Sequence, residues 1–160
     1  MMPTPQSILY IAMSLDGYIA KEDGDINWLS IVENPTEDYG YSKFISTVST
    51  VIMGRKTYDK VLSFGIEFPH KDKKCYVISH QKTGKDNNVE FYNGSIADLI
   101  NKLKNTTDKN IFIDGGAEHV FELMKQNLID KYIISIIPIF LGNGISLFKS
   151  GRPEKVLRLL

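Results

Sequence analysis

Twice in this chain a short, β-branched apolar run stops on glycine and gives way at once to helical periodicity: TVIMGRKTY around Gly54, and NIFIDGGAEHVF around Gly115 and Gly116. A strand that turns directly into a helix restricts the fold, because the helix returns along the sheet and the next strand then lies parallel to the first. The rest of the chain repeats this alternation. Ile8 to Ala12, Thr50 to Met53, Lys74 to Ser79, Val89 to Tyr92, Ile111 to Ile113 and the long run Lys131 to Phe140 read as strands. Tyr41, Phe44, Ile45 and Val48 share one helical face and, with Pro35 and Thr36 as a start, predict a helix over 36 to 47. RKTYDKVL continues as a helix after Gly54; Ile96, Leu99, Ile100 and Leu103 mark another behind a possible N-cap at Ser95, and Val120, Phe121, Leu123 and Met124 a third. Near-continuous apolar strands alternating with helices give an α/β fold with a mostly parallel sheet covered on both faces.

Length and charge narrow the function. At 160 residues one domain is expected. The 19 Lys and Arg balance the 19 Asp and Glu, so the basic excess of a nucleic-acid-binding protein is missing. Cys75 is the only cysteine, which rules out an internal disulfide and a four-cysteine zinc site and points to a cytoplasmic protein. The N-terminal apolar run is interrupted by Ser14 and Asp16, fitting neither a signal peptide nor a membrane span.

Open α/β sheets bind ligands beyond the carboxyl ends of their strands, where helix starts offer unpaired N–H groups. Glycine allows close approach to a phosphate, and Arg55 and Lys56 beside Gly54 supply cationic donors suited to a phosphate monoester. A dinucleotide carrying a 2′-phosphate fits best; alternatively, each glycine only permits a tight turn. Neither G-x-G-x-x-G nor G-x-x-x-x-G-K-[ST] occurs, GNGISL having Leu147 at the last glycine position. His70, His80 and His119 are dispersed, and no metal site is expected.

The ordered set SLDGYIAKEDGDINWL, DYGYSKF, VIMGRKTYDKV, YVIS, IFIDGGAEHVF and LIDKYIISIIPIFLGNGISLF resembles the dihydrofolate reductase superfold over nearly the whole chain. It is most similar to stand-alone proteins related to the reductase domain of the bifunctional riboflavin-biosynthesis deaminase/reductase. The resemblance implies a three-layer α/β/α domain with an antiparallel C-terminal edge. It also implies an NADPH-dependent reductase of a small pterin-like or pyrimidine-derived substrate, such as 5-amino-6-(5-phosphoribosylamino)uracil. Gly54, Arg55, Lys56 and Thr57 then hold the 2′-phosphate and pyrophosphate, joined by Ser79 and His80 after the next strand. Gly115, Gly116 and Ala117 form the second phosphate turn, whose Gly-Gly bond is often cis in the family. Ala12, Ile19, Gly24 and Asp25 contact nicotinamide, and Trp28 closes the substrate side. His80 stands where the family often has a basic or hydroxyl residue. The deaminase half is missing, since one cysteine cannot build its zinc site.

A reductase of this kind needs an acid beside the accepting ring. Asp38 lies 16 residues before Gly54, the family's spacing for the substrate-binding carboxylate, and partial burial would raise its pKa. Periodicity leaves Glu37 open: at about 100° per residue it falls about 30° from the centre of the apolar stripe, and Asp38 about 70°. The loop from Ser14 to Ser30 is long enough for a lid, with Gly17 and Gly24 as hinges. Two other readings stand beside the reductase. A true dihydrofolate reductase would carry a Trp-Pro pair where this chain has Asn27, Trp28, Leu29 and Ser30, and a non-catalytic NADP- or drug-binding module would keep the cleft without turnover. The short C-terminal piece VLRLL leaves a sheet edge in need of cover, which, with the family's habit, gives a homodimer as the expected assembly.

Overall fold

The computed structural model describes residues 4–160. Its strands are β1 (Ser7–Ser14), β2 (Tyr18–Ala20), β3 (Val48–Gly54), β4 (Lys74–Ile78), β5 (Gly84–Lys85), β6 (Glu90–Tyr92), β7 (Asn110–Gly115), β8 (Lys131–Ile137) and β9 (Ile145–Ser146). The helices are α1 (Tyr41–Ile45), α2 (Arg55–Ser63), α3 (Ile96–Thr106) and α4 (Ala117–Lys125), with a 3-10 turn over Asn27–Val32.

Seven strands form one sheet in the order β5-β6-β4-β3-β7-β1-β8, parallel except for β5, while β2 and β9 form a separate antiparallel pair. The expected α/β class and mostly parallel sheet are what the structure has. Alternation along the strands builds two cores. Leu9, Ile52, Ile111 and Ile113 point to the side covered by α3 and α4, where Leu99, Ile100, Val120 and Leu123 meet them. Ile8, Val51, Met53 and Phe112 point to the opposite side, against Phe44 of α1 and Tyr58 of α2. The result is three layers, and β7 lies between β1 and β3 although it follows them in the chain.

Several elements differ from the sequence expectation for identifiable reasons. The helix expected over 36 to 47 shrinks to Tyr41–Ile45, because Tyr39 (φ 54°) and Gly40 (φ 85°) take positive φ ahead of it and Val48 already belongs to β3. The last long strand stops at Ile137, one residue before Pro138, which has no amide to donate. The expected lid is half tied down. Within it β2 pairs with β9, and Asp16 bridges from Ser14 (2.5 Å) to the amides of Leu141 (3.2 Å) and Gly142 (2.9 Å).

Candidate active site

Because β3 and β7 are hydrogen-bonded neighbours, the two glycine turns lie side by side and α2 and α4 begin next to each other. A methyl group placed on Gly54 would meet His119 Cδ2 at 2.7 Å and Nε2 at 2.8 Å, and one on Gly116 would reach Thr57 Oγ1 at 3.8 Å. Gly115 has φ 118°, a conformation that L-residues rarely adopt, and its peptide bond to Gly116 is cis. Among the described residues neither α2 nor α4 has a side-chain cap, whereas α3 is capped conventionally by Ser95 Oγ accepting from the Asp98 amide at 3.2 Å. Gly54, Thr57, Gly115, Gly116 and the buried Ala117 are thus brought together around two adjacent helix starts with uncapped N–H groups.

Cations gather on one flank. Arg55 Nε is 3.0 Å from Asp59 Oδ1, and its guanidinium lies 5.4 Å from the centre of the Phe91 ring. Lys82 Nζ sits 4.8 Å from the same ring, a position that the sequence reading missed because Lys82 lies in no recognisable motif. Lys56 is exposed. Ser79 is buried, and its Oγ accepts from the amides of Gln81 (3.3 Å) and Lys82 (3.0 Å), forming the turn that brings Lys82 round. His80 is exposed beyond it, within the electrostatic reach of His119.

On the other flank β1 supplies Tyr10 and Ala12, which alternation places on the same side of the sheet. Tyr10 stacks on Phe44 (centroids 4.4 Å apart, 14° between planes) and meets Tyr41 edge-on at 5.7 Å. Both tyrosines are held above the ordinary phenol pKa by burial, reinforced by Asp38 for Tyr10 and by Asp114 for Tyr41.

The carboxylates are not as the sequence suggested. Asp38 is exposed, with Oδ1 accepting from the Gly40 amide (3.0 Å) and Oδ2 from the Ser42 amide (3.1 Å). The Ser42 hydroxyl first, and then these two amides, hold its carboxyl below the usual range, correcting the expectation of a partly buried acid with a raised pKa. Glu37 is also exposed and accepts from the Tyr39 amide at 2.7 Å. The carboxyl that burial does raise, to about 6, is that of half-buried Asp114 at the end of β7, immediately before Gly115. Its position after the apolar run NIFI was the available signal.

The loop residues fold among themselves. Ile19 packs on the α3/α4 side of the core. Gly24 turns with φ 88°, Asp25 pairs with Lys21 at 3.8 Å, and the Asp25 carbonyl accepts from Trp28 Nε1 at 3.2 Å. Trp28 is 6% exposed, so its ring is packed into the protein instead of standing open to the cleft. Among the described residues, no group of three or more His, Cys, Asp or Glu could hold a metal ion, and no helix is long and apolar enough to cross a membrane.

Comparison with known proteins agrees with this architecture. The family model described as the RibD C-terminal domain matches residues 5–160. The uncharacterized Bacillus subtilis (strain 168) protein YwjB is 46% identical over 155 residues, covering 96% of this chain and 88% of the relative. YyaP of the same organism is 32% identical over 155 residues, covering 88% and 79%. A provisionally named riboflavin biosynthesis protein from Shewanella sp. PV-4 superposes with TM-score 0.82 at 36% identity, covering 91% of this chain and 84% of that one. A Thermotoga maritima diaminohydroxyphosphoribosylaminopyrimidine deaminase/5-amino-6-(5-phosphoribosylamino)uracil reductase shares the fold at TM-score 0.65 and 18% identity, covering 96% of this chain and 50% of the larger protein.

Proposed function

The chain belongs to the RibD C-terminal domain family, and from that premise we propose that it is an NADPH-dependent reductase delivering hydride to a small pyrimidine-derived or pterin-like ring. The observation that carries this reading is the pair of adjacent helix starts at Gly54 and Gly116, neither with a side-chain cap among the described residues and both glycines leaving the backbone open to close approach beside the His119 ring. The residues fit the dinucleotide. Uncapped amides of α2 and α4 would meet the diphosphate, Arg55, Lys56 and Lys82 would read the 2′-phosphate, and Ser79 and His80 would border that flank. Ala12, near the end of β1, would leave room for the nicotinamide, with Gly24 and Asp25 on the loop that follows β2, whereas Ile19 in β2 packs on the α3/α4 side.

The bound cofactor supplies the hydride, so the protein's own work is to orient two rings and to hold a proton. Tyr10 and Tyr41, backed by the buried Phe44, would form an aromatic wall for the accepting ring. Asp114, at the end of β7 with its carboxyl raised by burial to about 6, is the acid we favour over Asp38. Asp38 stays at the mouth as an acceptor for ring N–H groups, with Trp28 backing the loop behind it. The test is NADPH oxidation followed at its absorbance band with 5-amino-6-(5-phosphoribosylamino)uracil and with dihydrofolate as separate substrates. Turnover of the former alone supports this reading, and turnover of the latter alone makes the protein a folate enzyme.

We place the protein in the cytosol, as its one thiol, buried at Cys75, suggests. We assign it as a homodimer built on β8. Among the described residues that strand pairs with β1 alone; Ile136 on it is 55% exposed, and Val156 and Leu159 in the C-terminal segment are 94% and 98% exposed. Light scattering at micromolar concentration tests this, and a monomer mass contradicts it.

A further inference from the structure

His119 stands in the first turn of α4 with its ring over Gly54, and the Gly115 carbonyl oxygen lies 3.7 Å from where a β-carbon on Gly54 would sit. One imidazole therefore lies where the two glycine turns approach each other. The titratable groups facing it are Glu118 and Glu122 on its own helix and His80 from the segment after β4. Glu118 is in turn paired with Lys149 and within reach of Lys56 on α2. Resting on the reading of this cleft as a dinucleotide site, we propose that His119 is a proton-linked ligand of the diphosphate, neutral in the free protein and protonated when the diphosphate binds.

The physical reason is a change of sign in its surroundings. In the free protein burial is the largest influence on the imidazole, holding it toward the neutral form, and His80 adds to that while Glu118 and Glu122 oppose it. The positive ends of two helix dipoles also disfavour a further charge there. A diphosphate brings two negative charges to the same gap, and an imidazolium N–H then makes a charge-assisted hydrogen bond to a phosphate oxygen. The proton comes from the buffer, and no bond in the ligand breaks.

Calorimetric titration of the full chain with NADH, and separately with ADP-ribose, in two buffers of different ionisation enthalpy at pH 7 tests this. Neither probe carries the phosphate monoester, whose own ionisation near pH 6 would overlap. The expected result is a buffer-dependent heat reporting proton uptake, with NADH affinity rising about two- to fivefold from pH 7.5 to 6.5, below the tenfold ceiling for one linked proton. His119→Asn and His119→Gln should bind NADH with buffer-independent heats. Buffer-independent heats in the wild-type protein overturn the proposal, as does uptake that survives both substitutions or is removed by His80→Asn alone. Failure of NADH and NADPH to bind at any pH is a separate outcome and overturns the dinucleotide reading beneath it.

Discussion

The α-carbon of Gly54 faces the imidazole of His119 across the start of α2, so closely that a methyl group there would sit 2.7 Å from Cδ2. Gly54 has an ordinary extended φ of −79°, so the demand for glycine is one of space and not of backbone conformation. Gly54→Ala should destabilise the protein by about 1–3 kcal/mol through overpacking. Adding His119→Ala should recover much of that loss, since the two residues share one contact. Urea denaturation of the two single variants and the double variant measures the coupling; strict additivity would show that His119 does not constrain Gly54.

Arg55 and Lys82 approach the same ring, Phe91, at 5.4 Å and 4.8 Å. If they read the 2′-phosphate, Arg55→Ala and Lys82→Ala should each weaken NADPH by about tenfold, the scale of a lost charge-assisted hydrogen bond. NADH should be nearly unaffected. Parallel titrations with both cofactors decide this, and equal losses would assign the cations to the diphosphate.

Burial raises Asp114 to about 6 from 3.8, so the folded state binds a proton more tightly than the unfolded chain. The contribution of this group is therefore fully favourable below about pH 4 and is lost as pH rises through about 6. Asp114→Asn should match the wild type near pH 4 and exceed it at pH 8 by about 1–2 kcal/mol, a figure that allows for partial exposure. Thermal unfolding at both pH values checks the sign. The same variant should lose turnover by about 100-fold or more if Asp114 is the proton source.

His70 has the opposite sign. It is 6% exposed, its Nδ1 has no hydrogen-bond partner among the described residues, and Phe68 and Phe112 meet it edge-on at 5.8 Å. Burial holds it below the ordinary imidazole pKa, so the unfolded chain binds the proton better and stability falls as pH drops below about 6.5. His70→Phe, which keeps a ring among the aromatics, should flatten the loss between pH 7 and pH 5. An unchanged acid limb would place its origin elsewhere.

The layers of the fold were legible because each strand and helix declares its own period: Val51 and Met53 sort to the core opposite Ile52 as alternation requires, and Leu99, Ile100 and Leu103 face a single core as helical spacing requires. What escaped was set by distant partners. The β2–β9 pairing that ties down the loop joins Tyr18 to Ser146, and no local pattern announces it. The stripe at Tyr41, Phe44 and Ile45 was visible, but the positive φ at Tyr39 and Gly40 that shortens its helix was not. At the site, the glycines were legible as turns, whereas Asp114 reads locally as an ordinary turn residue and owes its raised pKa to burial that only the folded sheet creates. The rise expected in the pKa of Asp38 is absent for the converse reason: its carboxylate is exposed, and the Ser42 hydroxyl and the nearby Gly40 and Ser42 amides hydrogen-bond its oxygens.

The most direct measurement is the shift in melting temperature with NADPH. A ligand held at about a hundredfold above its Kd stabilises the folded state by about 2.7 kcal/mol, or about 5–10 °C for a chain of this size. An NADPH-dependent reductase should show that rise, and show it reduced in Arg55→Ala; an unchanged melting temperature at millimolar NADPH would contradict the assignment.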